Sequence, residues 1–436
     1  MNYVRKNTEK KIIKFINIFI IISLFSGIVN LILGKISNST ILTFWPEIIF
    51  IAFMSYFCVS RVFNSRIDKR KWFFINFILL YILIQLFISS LNITVIQFIF
   101  GCKVILFYIP LYFIFYFIDD VDIEKNIYKV TKILSISIII MSLIGIIQKK
   151  IGYYNLLSIY GDSIRAFTTK GILRVFSSTA SPFEYSWACL IVLAITFSYI
   201  LFENRNKVLI NLGFISSIVG IILSNSREGI LNLLVILFTI FLMKCIIKNK
   251  KIIKIYILII PILGILLFNF ASIIANMDIV TENVYLNTIL SGESFKERLI
   301  VFENAINFYE SKGIMTILFG NGIGSLGAAQ SMMNKLGYNI LANPVDNMYL
   351  YLYLNIGLVG ILGIFIFIYL NVNMIVESID KVKQPYFQVS TLAIIASILV
   401  SGYFRTVIEG FIVQILMIYI LGLSYKYAIN SKKNYS

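Results

Sequence analysis

The sequence predicts an all-α integral membrane protein with about twelve transmembrane helices, and three observations carry that prediction. Of the 436 residues, 59% are hydrophobic and only 14% are charged, whereas soluble domains average about 45–50% apolar and about 25% charged residues. The apolar residues come in runs of about 20, the length of a spanning helix, without the alternation that marks barrel strands. The net charge of +17 is unevenly spread along the chain, in the way that cytoplasmic loops collect Lys and Arg.

Windows of about 19 residues place spans near 12–33, 41–59, 72–92, 99–118, 130–148, 183–202, 208–224, 228–247, 252–275, 346–370, 387–404 and 408–425. With both termini cytoplasmic and the spans alternating, the inside segments hold 24 of the 38 Lys and Arg residues and the outside segments hold 12. That accounts for most of the basic charge through topology and makes nucleic acid an unneeded partner. The basic stretch Met1–Phe15 leads into the first run without a small-residue cleavage site, so that run reads as a retained span. Residues 1–436 form a single polytopic membrane domain.

Two outside segments are long, 149–182 and 276–345, and long connections in compact folds usually carry function or disorder. In the second, Ser294 and Glu297 have capping-box spacing. Phe295, Leu299, Phe302, Ile306 and Tyr309 follow at helical spacing. An amphipathic helix near 294–311 is expected, on the membrane surface or over a cavity. No internal repeat of the transporter type is visible.

The chain has no histidine, so a proton acceptor must come from another residue type. Cys58, Cys102, Cys189 and Cys245 lie in or beside apolar runs without CxxC spacing, which reads as buried small hydrophobes. Arginine stands out instead. Arg165, Arg174, Arg227, Arg298 and Arg405 fall in outside segments, against the charge bias. Arg227 sits in Leu223-Ser-Asn-Ser-Arg-Glu-Gly229, where two apolar runs meet. A charge at that depth is costly and marks function, although a polar turn with a snorkelling arginine also fits. The guanidinium fork binds phosphate oxygens in pairs and stays charged, so several outward arginines suit a lipid-linked diphosphate.

Asp346 and Asn347, after Asn343-Pro344-Val345, open the tenth run. Asp346 is either a helix N-cap or a base or orienter for a sugar hydroxyl. Asp120-Val-Asp122 has the form of a metal-holding pair, but on the cytoplasmic side a solvated helix end is the better reading. Gly320-Asn-Gly-Ile-Gly324 does not follow a strand of a βαβ unit, so it reads as a tight turn rather than a nucleotide site.

These stretches together resemble the bacterial O-antigen ligase and O-antigen (capsular polysaccharide) polymerase superfamily. Ile222–Gly229 is similar to that family's Ser-x-Ser-Arg-Gly element. Phe295 to Gly324 resembles its outer-loop helix and glycine turn. Asp346-Asn347, nine residues and Gly357-Leu-Val-Gly360 match the spacing of the ligase signature His-Asn-x9-Gly-x-x-Gly. Leu173–Pro182 is similar to the segment entering the family's middle spans. The resemblance covers 165–365. It departs at Asp346, where the ligases carry the histidine proposed as base, and this favours the Wzy-like polymerase branch over the ligase.

The resemblance implies a metal-independent glycosyltransferase without a cofactor, in the bacterial cytoplasmic membrane, with its active site on the extracytoplasmic side. Donor and acceptor would be undecaprenyl-diphosphate-linked oligosaccharides of an O-antigen, capsule or exopolysaccharide, with a flippase and a chain-length regulator as prospective partners. Arg227 and Arg174 would bind the diphosphate, with Arg298, Arg405 and Arg165 as further candidates. Asp346 would act as base or orienter, beside Asn347, Glu184 and Glu409. A ligase-type transferase and a flippase for the same lipid-linked sugars are the competing functions. A flippase should show repeat symmetry and charges deep in its spans, whereas the charges here gather at the outer rim.

Overall fold

A computed structural model describes residues 2–36, 44–58, 69–118, 122–169, 172–203, 207–257, 259–262, 264, 313–329 and 346–435. These are overwhelmingly helical, as the composition requires. Five helices are long and apolar enough to cross a membrane: α7 (Ile123–Ile151), α9 (Pro182–Phe202), α11 (Arg227–Ile246), α13 (Met348–Ser378) and the Phe411–Ser431 part of α15 (Phe411–Tyr435). Counting each of two bent pairs as one span raises the number to seven among the described residues. One joins α1 (Asn2–Leu24) to α2 (Ser26–Ile36), with a bend of 72°; the other joins α5 (Val95–Ile105) to α6 (Pro110–Phe117), with a bend of 51°. The remaining apolar runs form shorter apolar helices: α3 (Trp45–Phe57), the Leu80–Asn92 part of α4 (Lys69–Asn92), α10 (Val208–Leu223) and α14 (Pro385–Ser401). Most of the expected span 252–275 lies outside the described residues, as does the helix expected near 294–311.

α9 is the axis of the bundle. Every residue from Pro182 to Tyr199 except Phe197 is buried, and α7, α10, α11, α14 and α15 all pack against it. Close approach is possible because two neighbours present glycine. A Cβ on Gly220 of α10 would lie 2.4 Å from Cys189 Sγ, and one on Gly229 of α11 would lie 2.3 Å from Ser186 Oγ.

The long connection after α7 is folded. It holds α8 (Tyr153–Tyr160), a 3-10 turn (Gly161–Phe167) and a two-stranded antiparallel ribbon, β1 (Thr168–Thr169) with β2 (Ile172–Leu173). The connection between α14 and α15 is longer than the spacing of apolar runs suggests. It spans 402–410 and contains a second 3-10 turn, Val407–Glu409.

α13 is broken rather than continuous. Gly357 takes φ 64°, ψ −174°, and the glycine turn that follows α12 (Ile314–Phe319) docks into the break. Asn321 N donates to the Leu354 carbonyl (2.8 Å), Asn355 Oδ1 accepts from Gly324 N (3.0 Å) and Tyr81 Oη donates to the Ile356 carbonyl (3.0 Å). Backbone groups freed by the break thereby find partners, as burial demands. A Cβ on Gly357 would come within 2.4 Å of Gly320 N and the Leu318 carbonyl, so the break and the turn need glycine at this contact. Gly357→Ala combines a disfavoured φ with a backbone collision and is expected to cost at least about 1–3 kcal/mol. It should lower the thermal midpoint of the detergent-purified protein; an unchanged midpoint would show that the docking is dispensable.

Candidate functional site

α7, α10 and α14 finish at the end of the bundle where α9, α11, α13 and α15 begin, and the candidate residues collect there. Arg174 precedes α9, Glu184 lies in its first turn, Arg227 opens α11, Asp346 and Asn347 precede α13, and Arg405 and Glu409 occupy the 402–410 connection.

Arg174 is fixed by its neighbours. Its N–H donates to the Phe167 carbonyl (2.8 Å), and Val175 N donates to the Leu223 carbonyl at the end of α10 (3.2 Å). The following loop turns at Ser177, a non-glycine residue at φ 54°. Gln148 of α7 uses both ends of its amide on Ser177: Oε1 accepts from Ser177 N (2.8 Å) and Nε2 donates to the Ser177 carbonyl (2.7 Å). Ser178 Oγ donates to the Leu24 carbonyl (2.9 Å), tying the loop to the bend of the first helix pair.

The Leu223–Gly229 segment folds for equally local reasons. Asn225 sits at φ 47°, a conformation that asparagine tolerates better than most residues. Ser226 caps α11, accepting from Gly229 N (3.1 Å). Arg227 is then the first helical residue and is exposed, and Glu228 turns inward. Glu228 Oε1 accepts from Trp187 Nε1 of α9 (3.2 Å) and from Ser401 Oγ at the end of α14, so one carboxylate ties three helices together. Two left-handed residues therefore flank Arg174 and Arg227, the kind of local strain that concentrates at functional sites.

The arginines share one electrostatic environment. Burial, followed by the neighbouring guanidiniums of Arg405 and Arg227, pulls the Arg174 pKa below the ordinary arginine value, with Glu228 opposing. Arg174 Nε is buried and makes no hydrogen bond among the described residues. The Arg405 guanidinium lies over the Phe183 ring, 4.1 Å from its centroid, a cation–π contact that holds the charge on the first turn of α9. Arg165 lies exposed in the 3-10 turn of the first long connection. Arg298 is outside the described residues.

The carboxylates take different positions. Glu184 Oε1 accepts from Phe411 N (3.0 Å) and so pins the start of α15 to α9. Glu409 Oε1 accepts from Ala328 N (2.8 Å), just beyond the glycine turn. Burial, followed by the nearby charge of Asp346, pushes the Glu409 carboxyl up, against the pull of the Ala328 N–H, Tyr351 and Arg405. The charges of Asp346 and Arg405 therefore both act on Glu409. Asn347, rather than Asp346, caps α13: its Oδ1 accepts from Leu350 N (2.9 Å), and its Nδ2 donates to the Tyr403 carbonyl (3.2 Å). Met348 N donates to the Gly402 carbonyl (2.7 Å), which locks the start of α13 to the connection bearing Arg405.

At the other end of the bundle, Asp122 caps α7 by accepting from Lys125 N (3.1 Å), the helix-end role expected for it; Asp120 lies outside the described residues. A cavity of about 310 Å³ opens there among Glu124, Tyr128, Glu203, Lys207 and Tyr386, remote from the arginines. Reasoning from the sequence missed Gln148, Phe183 and Glu228. Glu228 left a signal, since it stands where the resembled Ser-x-Ser-Arg-Gly element has glycine. Gln148→Leu would leave two buried backbone groups unpaired, at about 1–3 kcal/mol each for unpaired buried groups. We expect it to lower the thermal midpoint of the purified protein; an unchanged midpoint would show that the grip on Ser177 is dispensable.

No curated protein matches the chain. Residues 212–365 match the family model described as O-antigen ligase. The matched segment holds Arg227, Asp346, Asn347 and the broken helix, while Arg174, Glu184, Arg405 and Glu409 lie outside it. The match supports a ligase- or polymerase-type function, that of a membrane glycosyltransferase-like enzyme, and the family implies lipid-linked polysaccharide substrates. The charged end of this helical membrane protein thus lies partly within, and partly beside, a segment whose match supports a relationship to the O-antigen ligase and polymerase superfamily.

Proposed function

We propose that the protein polymerises a bacterial cell-surface polysaccharide by joining undecaprenyl-diphosphate-linked repeat units on the outer face of the cytoplasmic membrane. One observation carries the reading: Arg174, from a segment of its own, feels the charges of Arg405 and Arg227 from two others, with Glu228 opposing them. Gathering like charges at a partly buried place is unfavourable unless an anion joins them, and a diphosphate supplies that charge with matching geometry.

In this reading an acceptor hydroxyl attacks the anomeric carbon of the donor glycan. The bond from that carbon to the diphosphate breaks, and the lipid diphosphate leaves with the electron pair. Arg174, Arg227 and Arg405, with Arg298 in reserve, hold the diphosphate and stabilise the charge that develops as it departs. Asp346 orients the acceptor hydroxyl or takes its proton, beside Asn347. The leaving group is a weak base, so positioning and charge stabilisation suffice without a metal. Aspartate at the position of the ligase histidine supports polymerisation over ligation.

The test is the surface glycan profile of a deletion strain complemented with wild type or Arg227→Ala at matched protein levels. Deletion should leave single repeat units, wild type should restore long chains, and Arg227→Ala should fall short by about 10²–10³ in rate. Long chains that stay on the lipid carrier in the deletion strain would instead identify a ligase. Repeat units retained on the inner face would identify a flippase.

A further inference from the structure

The two carboxylates near Arg405 need not do the same work. Asp346 precedes α13 and is partly exposed. Glu409 sits in the 3-10 turn between α14 and α15 and is likewise partly buried. Its surroundings are built around it. Gly327, at φ 79°, lacks the Cβ that would fall 2.3 Å from Glu409 Oε1, and the next residue, Ala328, donates its N–H to that oxygen (2.8 Å). The Tyr351 ring of α13 lines the same place, since a Cβ on Gly327 would also strike it at 2.6 Å. The glycine turn that docks into the break of α13 therefore ends as a cradle for one acidic side chain.

We propose that Glu409 is the group that accepts the acceptor hydroxyl proton, and that Asp346 orients this hydroxyl; the assignment rests on the glycosyl-transfer reading above. The acceptor oxygen bonds to the anomeric carbon, the lipid diphosphate leaves with its electron pair, and the hydroxyl proton ends on Glu409. Three features suit Glu409 to this. It shares its connection with Arg405, so acceptor and diphosphate sites adjoin. Its carboxyl is pinned through Oε1 and cannot swing away. Burial and the Asp346 charge raise its pKa, bringing it nearer the working pH, where a general base is most effective.

The charged and titratable groups around it set the sign of the pH dependence. From α13 and its start come Tyr351 and Asp346, and from its own connection Arg405. From the packed α5 comes Lys103, whose Nζ is paired with Glu47 Oε1 (2.8 Å). α15 begins two residues on, where Glu184 holds Phe411 N. Glu409 must be ionised to act, so transfer should rise with pH along an acid limb that belongs to Glu409. Removing the Asp346 charge should move that limb to lower pH, because a like charge no longer disfavours ionisation.

The experiment is the pH profile of chain elongation by the full-length purified protein, with lipid-linked repeat units extracted from a deletion strain as substrate. Glu409→Gln, judged folded by its thermal midpoint, should lose at least about a hundredfold in rate, the span of general-base catalysis, and should lack the acid limb. Glu409→Asp should recover part of the rate. Asp346→Asn should stay measurably active with its limb shifted to lower pH, and this result decides the matter if Glu409→Gln does not fold. An active Glu409→Gln with the wild-type limb, or an inactive Asp346→Asn, overturns the assignment to Glu409. Wild type that extends no glycan overturns the polymerase reading itself.

Discussion

Concentrating positive charge at one end of an apolar helix bundle is the constraint on which the rest of this structure depends. Burial first, and then the charges of Arg405 and Arg227, lower the pKa of Arg174. The fold holds them there with interactions that do not titrate away. The Gln148 amide grips Ser177, Val175 bonds the end of α10, and Phe183 offers a ring face to Arg405. Glu228 contributes charge compensation and structure together, since the carboxylate that opposes the guanidiniums also joins α9, α11 and α14.

The second organising device is the broken α13. A continuous helix would carry its first turns away from the glycine turn. The left-handed Gly357 lets the 320–327 backbone pack into the gap, and that packing fixes Ala328 beside Glu409. Backbone contact at 2.4 Å from a missing Cβ leaves no room for adjustment, so the acidic part of the site inherits its position from main-chain geometry. The arginine part inherits its own from α9, whose burial on nearly every face makes it the reference for the helices around it.

The fold class was legible because hydropathy and charge bias are summed over long windows, where local exceptions cancel. All-α membrane architecture follows from that sum, and the arginine positions follow from their conflict with it. The bends between α1 and α2 and between α5 and α6 were not legible, because hydropathy is blind to direction. The 402–410 connection read as shorter than it is, since Val407 and Ile408 extend the apolar pattern through a 3-10 turn. The glycine cluster was rightly read as a turn, yet what it packs against lies about thirty residues further along the chain. The start of α13 illustrates the same limit: the sequence suggests Asp346 as the cap, and only the bond from Leu350 N to Asn347 Oδ1 shows that Asn347 is the side chain committed to the helix. Gln148 was invisible for a plainer reason, as a lone glutamine at the end of an apolar run resembles any interfacial residue.

The central claim is that the three arginines form one diphosphate site, and equilibrium binding tests it most directly. The measurement is the affinity of the purified protein for farnesyl diphosphate and farnesyl monophosphate, repeated with Arg174→Gln and Arg405→Gln. The account predicts that the diphosphate binds more tightly than the monophosphate. It also predicts that each substitution, removing one charge-assisted contact worth about 1.5–3 kcal/mol, weakens diphosphate binding by roughly tenfold or more. Equal affinities for the two ligands, unchanged by either substitution, would contradict it.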